Sequence, residues 1–340
     1  MKAAVLYGRE DIRVEQVEAP PLKPGEVRVA IGAALTCGTD LKVFKRGCHA
    51  RMIRPPAVFG HELAGTICEV APGAGDWKTG DRVVVANSAP CGSCYYCRNG
   101  QENLCDDLLF LNGAYAESIV VPERVAQKNM LRLESGTGFR DAALTEPLAC
   151  AVQGWQELGA RPGQNVLVIG CGPIGLMFVA LARHGQCGVT LAGRGPRLLT
   201  GARLGAGDLI DVQDGSDLAA AIKASSRSEF DVVIEAVGKP EVWQAATQVV
   251  RKGGKVNFFG GCPSGSTVSL DTNLMHYCSL TLLSTFHHTP RAIRRALELI
   301  ETGIVRGADF VDGEARLEEL PGLFGSMAAG NRAVKTLIKL

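Results

Sequence analysis

The hydrophobic pattern of the sequence changes near residue 160, and this change constrains the fold more than any other feature. Up to about residue 150, short β-rich runs such as AAVLYG, VRVAIGAALTC and AYAESIVVP alternate with glycine and proline, which is typical of a compact β-barrel-like domain. Beyond it, apolar strands alternate with helical stretches in NVLVIG, PIGLMFVALARHG, VTLAG, PRLLTGARLGA, DVVIEAVG and KVNFFGG. Alternating β and α units predict a doubly wound parallel sheet. The expected class is α/β with a separate β-rich domain, a helix over residues 291–305, and a terminal strand AVKTLIKL that returns to the first domain.

A glycine-rich loop joins the strand NVLVIG to the next helical stretch and reads Gly170-Cys-Gly172-Pro173-Ile174-Gly175. In this context the first glycine permits a tight turn, the second lets the backbone approach a pyrophosphate, and the third lets the helix pack on the strand. Free amides and the helix dipole then face the phosphates. We predict a dinucleotide site formed by this loop together with Val237 and Gly238. A glycine turn that binds nothing is the alternative.

The next strand, VTLAG, ends in Gly193. A protein that binds NAD would carry an acidic residue at this strand end, about 20 residues after the glycine loop, to bind the ribose 2′-hydroxyl. Without that carboxylate, nothing at this position repels a 2′-phosphate, and Arg194, with Arg197, can supply a bidentate phosphate contact. We therefore predict NADP as the preferred cofactor. The alternative is that Arg194 is a solvated surface arginine and that the protein uses NAD weakly.

Cys91, Cys94, Cys97 and Cys105 have the spacing C-x2-C-x2-C-x7-C, which can close a tetrahedron around one zinc ion. Core thiols, a redox pair and an iron–sulfur cluster are other interpretations, but these cysteines sit among Gly, Ser, Asn and Tyr. A disulfide framework needs an oxidising compartment, and MKAAVLYGRE has no signal-peptide pattern, so we expect a cytoplasmic protein. A closed four-thiolate site is structural. The cysteines without a spacing pattern are expected to be buried apolar residues: Cys48, Cys68, Cys150, Cys171, Cys187, Cys262 and Cys278.

A second metal site is predicted from Cys37, His61, Glu62 and Glu146. Cys37 follows an apolar strand in T-C-G-T-D, His61 and Glu62 end the segment VFGHE, and Glu146 is a carboxylate in the apolar ALTEPLACAV. One thiolate, one imidazole and one or two carboxylates, with a position left open, form a catalytic rather than a structural zinc site. From the residues alone, a hydrogen-bonded core histidine at His61 and a capping glutamate at Glu146 are the alternatives.

The motifs C-G-T-D, G-H-E, the four-cysteine lobe, E-P-L and the nucleotide loop occur in this order, and together they resemble the zinc-dependent medium-chain alcohol and polyol dehydrogenases. The resemblance covers essentially the whole chain, and it is strongest to the sorbitol, or L-iditol 2-dehydrogenase-like, members. It implies a GroES-like catalytic domain at residues 1–152 and 290–340, with the structural zinc lobe at about 88–108. It also implies a Rossmann domain at residues 153–289 and assembly into homodimers or homotetramers.

The resemblance further implies that Cys37, His61 and Glu146 surround the catalytic zinc, with Glu62 either ligating it or exchanging with bound water. Asp40 then orients His61. Zinc would act as a Lewis acid on a substrate hydroxyl, and hydride would pass to the nicotinamide. Thr39, in the family's relay position, would pass the alcohol proton towards the cofactor ribose and solvent. On the residues alone, the Thr39 hydroxyl serves equally well to hold the turn after Cys37.

The substrate is expected to be a polyol, cyclitol or sugar derivative. His287, in LTLLSTFHHTP, stands where related polyol dehydrogenases carry the arginine of an F-R-Y-like stretch, so it is a candidate hydroxyl-binding residue. This departure counts against sorbitol itself, and His287 and His288 can also be ordinary loop residues. Basic side chains between the two ligand motifs could attract an anionic sugar or form a solvated face: Lys42, Lys45, Arg46, His49, Arg51 and Arg54. Lys42 stands where a histidine is common, and threonine dehydrogenases usually lack E-P-L, so both features count against threonine. Threonine 3-dehydrogenase activity is therefore the second hypothesis, beside a simple secondary-alcohol dehydrogenase.

A formal net charge of +1 and the lack of a long apolar stretch give no reason to expect a nucleic-acid or membrane partner. Small molecules are therefore the expected partners. A non-catalytic relative that keeps the fold would be expected to have lost Cys37 or His61. A zinc-independent quinone reductase would lack the cysteine lobe.

Overall fold

The computed structural model describes residues 1–49, 51–212, 217–225, 229–330 and 333–340. It divides into two compact units, Met1–Ala149 with His288–Leu340, and Cys150–His287. We call them the N/C unit and the central unit.

The strands, in chain order, are β1 (Lys2–Gly8), β2 (Asp11–Gln16), β3 (Val27–Leu35), β4 (Ala57–Val58), β5 (Glu62–Val70), β6 (Arg82–Val85), β7 (Ser88–Ala89), β8 (Leu109–Phe110), β9 (Ser118–Val121), β10 (Met130–Arg132), β11 (Asn165–Ile169), β12 (Gly188–Gly193), β13 (Asp208–Asp211), β14 (Phe230–Glu235), β15 (Val250–Phe258), β16 (Thr281–Leu283), β17 (Val311–Arg316) and β18 (Lys335–Lys339). The helices are α1 (Gly38–Arg46), α2 (Tyr95–Arg98), α3 (Glu123–Lys128), α4 (Phe139–Ala142), α5 (Thr145–Leu158), α6 (Pro173–His184), α7 (Arg197–Arg203), α8 (Leu218–Ser225), α9 (Pro240–Val249), α10 (Thr272–Tyr277), α11 (Pro290–Glu301), α12 (Gly307–Phe310) and α13 (Leu320–Ala328).

The N/C unit is built on a large sheet in which the described strands follow the order β10-β6-β5-β3-β18-β17, with β9 also paired to β3. A smaller sheet has the order β2-β1-β4. Alternating apolar residues of these strands form the core, among them Val27, Val29 and Ile31 of β3. The terminal strand β18 pairs antiparallel with β3 and parallel with β17, so the end of the chain lies in the middle of this sheet.

The central unit contains a parallel sheet whose described strands follow the order β13-β12-β11-β14-β15-β16. This is the doubly wound order in which the winding reverses beside the first strand, here between β11 and β14. Apolar runs such as Val166 to Ile169 are buried on both faces, as expected for a parallel sheet covered by helices. The carboxyl ends of β11 and β14 therefore lie side by side at the point where ligands bind in such sheets.

The prediction that the seven cysteines without a spacing pattern are buried is wrong for five of them. Cys48 and Cys68 are exposed, and Cys150, Cys262 and Cys278 are partly exposed; only Cys171 and Cys187 are buried. Cys48 lies just after the exposed end of α1, and Cys68 lies on the outward face of β5. All twelve cysteines are free thiols.

None of the helices in the described part of the chain has the length and hydropathy that a bilayer crossing requires.

Candidate active site

Cys37 and His61 are brought together by the pairing of two strands. In the antiparallel ladder Leu35 at the end of β3 faces Glu62 at the start of β5. Cys37 follows β3 and His61 precedes β5, so both side chains lie at the same end of the sheet. Cys37 is also the N-cap residue of α1, and its Sγ accepts a hydrogen bond from the backbone N–H of Thr39, at 3.4 Å.

A buried hydrogen-bond chain fixes the imidazole of His61. Its Nδ1 lies 2.8 Å from Oδ1 of Asp40, and the hydroxyl of Tyr115 donates to Oδ2 of Asp40 at 2.7 Å. Burial lowers the pKa of His61, but the charges of Asp40 and Cys37 outweigh burial and raise it well above its usual value. Because Asp40 occupies Nδ1, Nε2 is the nitrogen that can bind a metal ion. Nothing in the sequence pattern singles out Tyr115, which is fully buried.

Glu62 forms a buried ion pair with a lysine from the end of the chain. The Nζ of Lys335 donates to both carboxylate oxygens of Glu62, at 2.7 and 2.6 Å, and to the carbonyl oxygen of Thr36 at 3.0 Å. Burial lowers the pKa of Lys335, but the charges of Glu62 and Cys37 outweigh it and raise the pKa. Lys335 was not identified from the sequence, because an isolated lysine in a strand carries no local signal of burial.

Glu146 is the second residue of α5 and is buried. Burial, together with the charge of Glu62, raises its pKa to about 7 against the lowering effect of His61 and Lys335. Its Oε1 lies 3.8 Å from Nε2 of His288, which lies 3.0 Å from Oδ1 of Asn87. Glu146 therefore shares the electrostatic environment of His61 and Glu62.

The donor set at this site fits a zinc ion. Ligand atoms of Cys37, His61 and Glu62 all lie within 4.8 Å of one another. A thiolate, an imidazole and a carboxylate are the donors that zinc prefers. The imidazole already has the partner on its second nitrogen that metal-binding histidines commonly have. Both carboxylate oxygens of Glu62, in contrast, already accept hydrogen bonds from Lys335. Lys335 and a metal ion would therefore compete for that carboxylate.

The four-cysteine lobe has the geometry of a closed zinc site. The Sγ atoms of Cys91 and Cys97 lie 3.9 Å apart, those of Cys94 and Cys97 3.5 Å, and those of Cys94 and Cys105 3.9 Å. Tetrahedral coordination with zinc–sulfur bonds of about 2.3 Å places the sulfurs about 3.8 Å apart. Hydrogen bonds from Ser93 and Cys94 lower the pKa of Cys91 to about 6, while burial raises the pKa of Cys97 to about 12. A cation at the centre would favour the thiolate form of all four.

The glycine loop leaves room for a phosphate group at the start of α6. A Cβ added at Gly172 would meet no atom within 4 Å, and this glycine is an N-cap without a side-chain hydrogen bond. The helix N-terminus is therefore open to an anion. At Gly175, an added Cβ would collide with the carbonyl oxygen of Gly170, so only glycine allows this close approach of helix and loop. Pro173 is the first residue of α6, and Ile174 is half-buried beside it.

A buried glutamate organises the loop after β14. Oε1 of Glu235 accepts hydrogen bonds from the backbone N–H groups of Val237 and Gly238, both at 2.8 Å. Burial raises the pKa of Glu235, against the lowering effect of these hydrogen bonds. Val237 is exposed and packs next to the turn at Gly170. The structure thus places Val237 beside the glycine loop. Glu235, which holds Val237 and Gly238, was not identified from the sequence.

The remaining candidate residues are those predicted to bind the cofactor 2′-phosphate, to relay the proton or to contact the substrate. At the end of β12, Gly193 is followed by the exposed Arg194, and the half-buried Arg197 begins α7. Thr39 is half-buried in the first turn of α1, and His287 is half-buried with a positive φ of 63°. The basic side chains of the run after Cys37 are exposed, except for the half-buried His49: Lys42, Lys45, Arg46, Arg51 and Arg54.

Comparison with known proteins identifies the family. The model of the alcohol dehydrogenase GroES-like domain matches residues 23–130, and that of the zinc-binding dehydrogenases matches residues 173–302. The chain is 28% identical over 327 residues to sorbitol dehydrogenase of Bacillus subtilis, which covers 94% of this chain and 91% of that protein. It is 35% identical over 292 residues to D-altritol 5-dehydrogenase of Agrobacterium fabrum, covering 83% of this chain and 82% of that protein.

A solved structure extends the similarity to the whole fold. A protein of Sinorhizobium meliloti, described as a zinc-binding dehydrogenase and crystallised with NADP, superimposes with a TM-score of 0.89 and 28% identity. The superposition covers 100% of this chain and 99% of that one. The chain therefore belongs to the zinc-dependent medium-chain dehydrogenases, a family of polyol, alcohol and threonine dehydrogenases. This confirms the predicted family and the predicted fold class, a GroES-like domain with a Rossmann domain.

Proposed function

We propose that this enzyme is an NADP-preferring, zinc-dependent dehydrogenase that interconverts a secondary hydroxyl of a polyol, cyclitol or sugar derivative with the ketone. The observation that carries the proposal is the group of half-buried Cys37 with buried His61 and Glu62, whose ligand atoms lie within 4.8 Å of one another. In the family to which the chain belongs, such a donor set is suited to hydride transfer from an alcohol.

In this proposal Cys37, His61 and a carboxylate from Glu146 or Glu62 hold the catalytic zinc. When bound there, zinc supplies the Lewis acidity that makes a substrate hydroxyl a stronger acid. Asp40 keeps the proton of His61 on Nδ1, 2.8 Å away, and Tyr115 keeps Asp40 in place. Lys335 holds Glu62 and adds a positive charge beside the thiolate of Cys37. Oγ1 of Thr39, in the first turn of α1, takes the proton of the hydroxyl and passes it on towards solvent.

The cofactor part of the proposal is supported by the end of β12. The strand ends in Gly193 rather than in a residue with a carboxylate, and the exposed Arg194 follows directly. A guanidinium there can bind a 2′-phosphate, and nothing at Gly193 repels that phosphate. The open N-terminus of α6 at Gly172 provides the place for the pyrophosphate. Arg197 adds a second positive charge at the start of α7.

The substrate class is supported by relatives named for polyols, sorbitol dehydrogenase and D-altritol 5-dehydrogenase. We propose His287 as a residue that hydrogen-bonds a substrate hydroxyl, and Cys91, Cys94, Cys97 and Cys105 as the ligands of a structural zinc. The exposed basic residues from Lys42 to Arg54 extend the proposal to anionic sugars. Assembly into a homodimer or homotetramer belongs to the same proposal. Threonine 3-dehydrogenase activity is the second candidate, because relatives with this activity match 83% of the chain.

The test is the initial rate of cofactor reduction across a panel of polyols, cyclitols, sugar phosphates, amino sugars and threonine, with NADP and NAD in parallel. We expect one polyol-like class to react, with a higher kcat/KM for NADP and a loss of rate after chelation of zinc. A preference for threonine would replace the first candidate with the second. Silence across the panel in protein that contains zinc and binds cofactor would contradict both.

A further inference from the structure

The thiol of Cys171 lies at the point where the glycine loop meets the end of β12. Cys171 stands between Gly170 and Gly172 and is buried. Its Sγ donates to the carbonyl oxygen of Arg194 at 3.4 Å and accepts from the backbone N–H of Arg194 at 3.3 Å. The side chain therefore faces β12 rather than the space above Gly172.

This thiol occupies the space that any side chain at position 193 would need. A Cβ added at Gly193 would lie 2.6 Å from Sγ of Cys171, 2.8 Å from its Cβ and 3.2 Å from its backbone nitrogen. Real Cβ atoms essentially never approach another heavy atom within 3.0 Å. Any residue larger than glycine at position 193 must therefore displace Cys171.

The two segments cannot move apart easily, because backbone hydrogen bonds hold both. The N–H of Gly170 donates to the carbonyl oxygen of Ala192, and the N–H of Val212 donates to that of Gly193, both at 2.8 Å. Moving Cys171 away from Gly193 would disturb the turn at Gly170 and thus the phosphate loop. The contact is a packed one inside a single unit, where added atoms are costly.

We propose that Cys171 determines cofactor specificity by excluding from position 193 the carboxylate that would bind the ribose 2′-hydroxyl of NAD. Its two hydrogen bonds also fix the backbone from which Arg194 extends. The inference rests on the proposed nucleotide site. In it, Cys171 affects cofactor specificity through position 193. Introducing Asp at 193 is therefore insufficient to create an NAD enzyme unless the side chain at 171 is removed as well.

The test is a double-mutant cycle between positions 171 and 193, read by cofactor binding and by thermal unfolding without cofactor. The variants are Gly193→Asp, Cys171→Gly and their combination. In the control, Cys187→Gly takes the place of Cys171→Gly. Cys187 is a second buried thiol of the same unit, and its hydrogen bonds go to Arg161 and Gly185. Dissociation constants for NADPH and NADH are measured by cofactor fluorescence.

Gly193→Asp alone should weaken both cofactors at least ~10-fold and lower the unfolding midpoint by about 4–8 °C, as expected for an overpacked contact. Adding Cys171→Gly to Gly193→Asp should tighten NADH binding at least ~10-fold and invert the NADPH/NADH preference. It should also reverse about half or more of the decrease in unfolding midpoint. Cys171→Ala, which keeps the Cβ at 2.8 Å, should rescue less than Cys171→Gly. Cys187→Gly should rescue neither readout.

The proposal is overturned if Gly193→Asp binds NADH well on its own and keeps its unfolding midpoint, or if Cys187→Gly rescues as well as Cys171→Gly. A wild-type protein that binds NADH as tightly as NADPH would contradict the proposed cofactor preference instead. In that case the coupling between positions 171 and 193 in the unfolding midpoints still decides whether the thiol excludes a side chain at 193.

Discussion

Replacing Lys335 by methionine should destabilise the N/C unit strongly. Lys335 and Glu62 are 1% and 0% exposed, and Nζ lies 2.7 and 2.6 Å from the two carboxylate oxygens. Methionine keeps much of the volume but leaves a buried carboxylate without its counter-charge, beside the buried Glu146 and the thiol of Cys37. Removing one partner of such a pair costs about 3–5 kcal/mol. The carbonyl oxygen of Thr36 loses its donor in the same change.

The assay is urea-induced unfolding of zinc-replete protein, with Lys339→Met as the matched control in the same strand. Lys339 pairs with Glu314 at 2.5 Å, but the two side chains are 59% and 57% exposed, so the control should cost only ~0–1 kcal/mol. Adding Glu62→Gln to Lys335→Met removes the uncompensated charge and should recover part of the loss. If Lys335→Met costs no more than Lys339→Met, Lys335 is not the partner that keeps the Glu62 carboxylate charged, and a metal ion must balance it instead.

Three further predictions concern the cofactor, the metal and the pH dependence of stability. Arg194→Ala should raise the Kd for NADPH at least ~10-fold more than that for NADH, measured by cofactor fluorescence, and equal losses would remove the 2′-phosphate argument. Tyr115→Phe removes the donor to Oδ2 of the buried Asp40; zinc affinity in a chelator competition should fall about 10-fold while the cysteine lobe keeps its ion, and unchanged affinity would show that Asp40 needs no support. Burial raises the pKa of Asp231, but hydrogen bonds from the N–H of Asn165 and from Arg251 outweigh it and lower the pKa. The stability that ionised Asp231 adds to the folded state is therefore present above the unfolded-state pKa of about 4. It is lost as pH falls through the lower folded-state pKa. Asp231→Asn should cost about 1–2 kcal/mol at pH 7 and much less at pH 3, in urea titrations at both pH values, and an equal cost at both would contradict this assignment.

The elements of this fold are largely readable from local sequence. The strand from Asn165 to Ile169, its glycine loop and the helix from Pro173 each carry their own periodicity and turn residues, so the central sheet follows from short-range rules. The candidate ligands Cys37, His61 and Glu62 could also be found, because they lie in short motifs at strand ends.

The partners of these residues could not be found in the same way. Lys335 reaches Glu62 across 273 residues of sequence, and Tyr115 reaches Asp40 across 75. Both contacts bring together segments that are distant in the chain, which no local pattern encodes. The clash between Cys171 and position 193 has the same origin, since it arises only once β11 and β12 lie side by side.

The assignment of the catalytic zinc site is tested by measuring zinc content and turnover in the same samples of wild-type protein and Cys37→Ser. We expect about two zinc ions per chain in the wild type and about one in the variant, which should be inactive but remain folded, because the four-cysteine lobe is untouched. Full zinc content together with wild-type turnover in Cys37→Ser would contradict the assignment of the catalytic site.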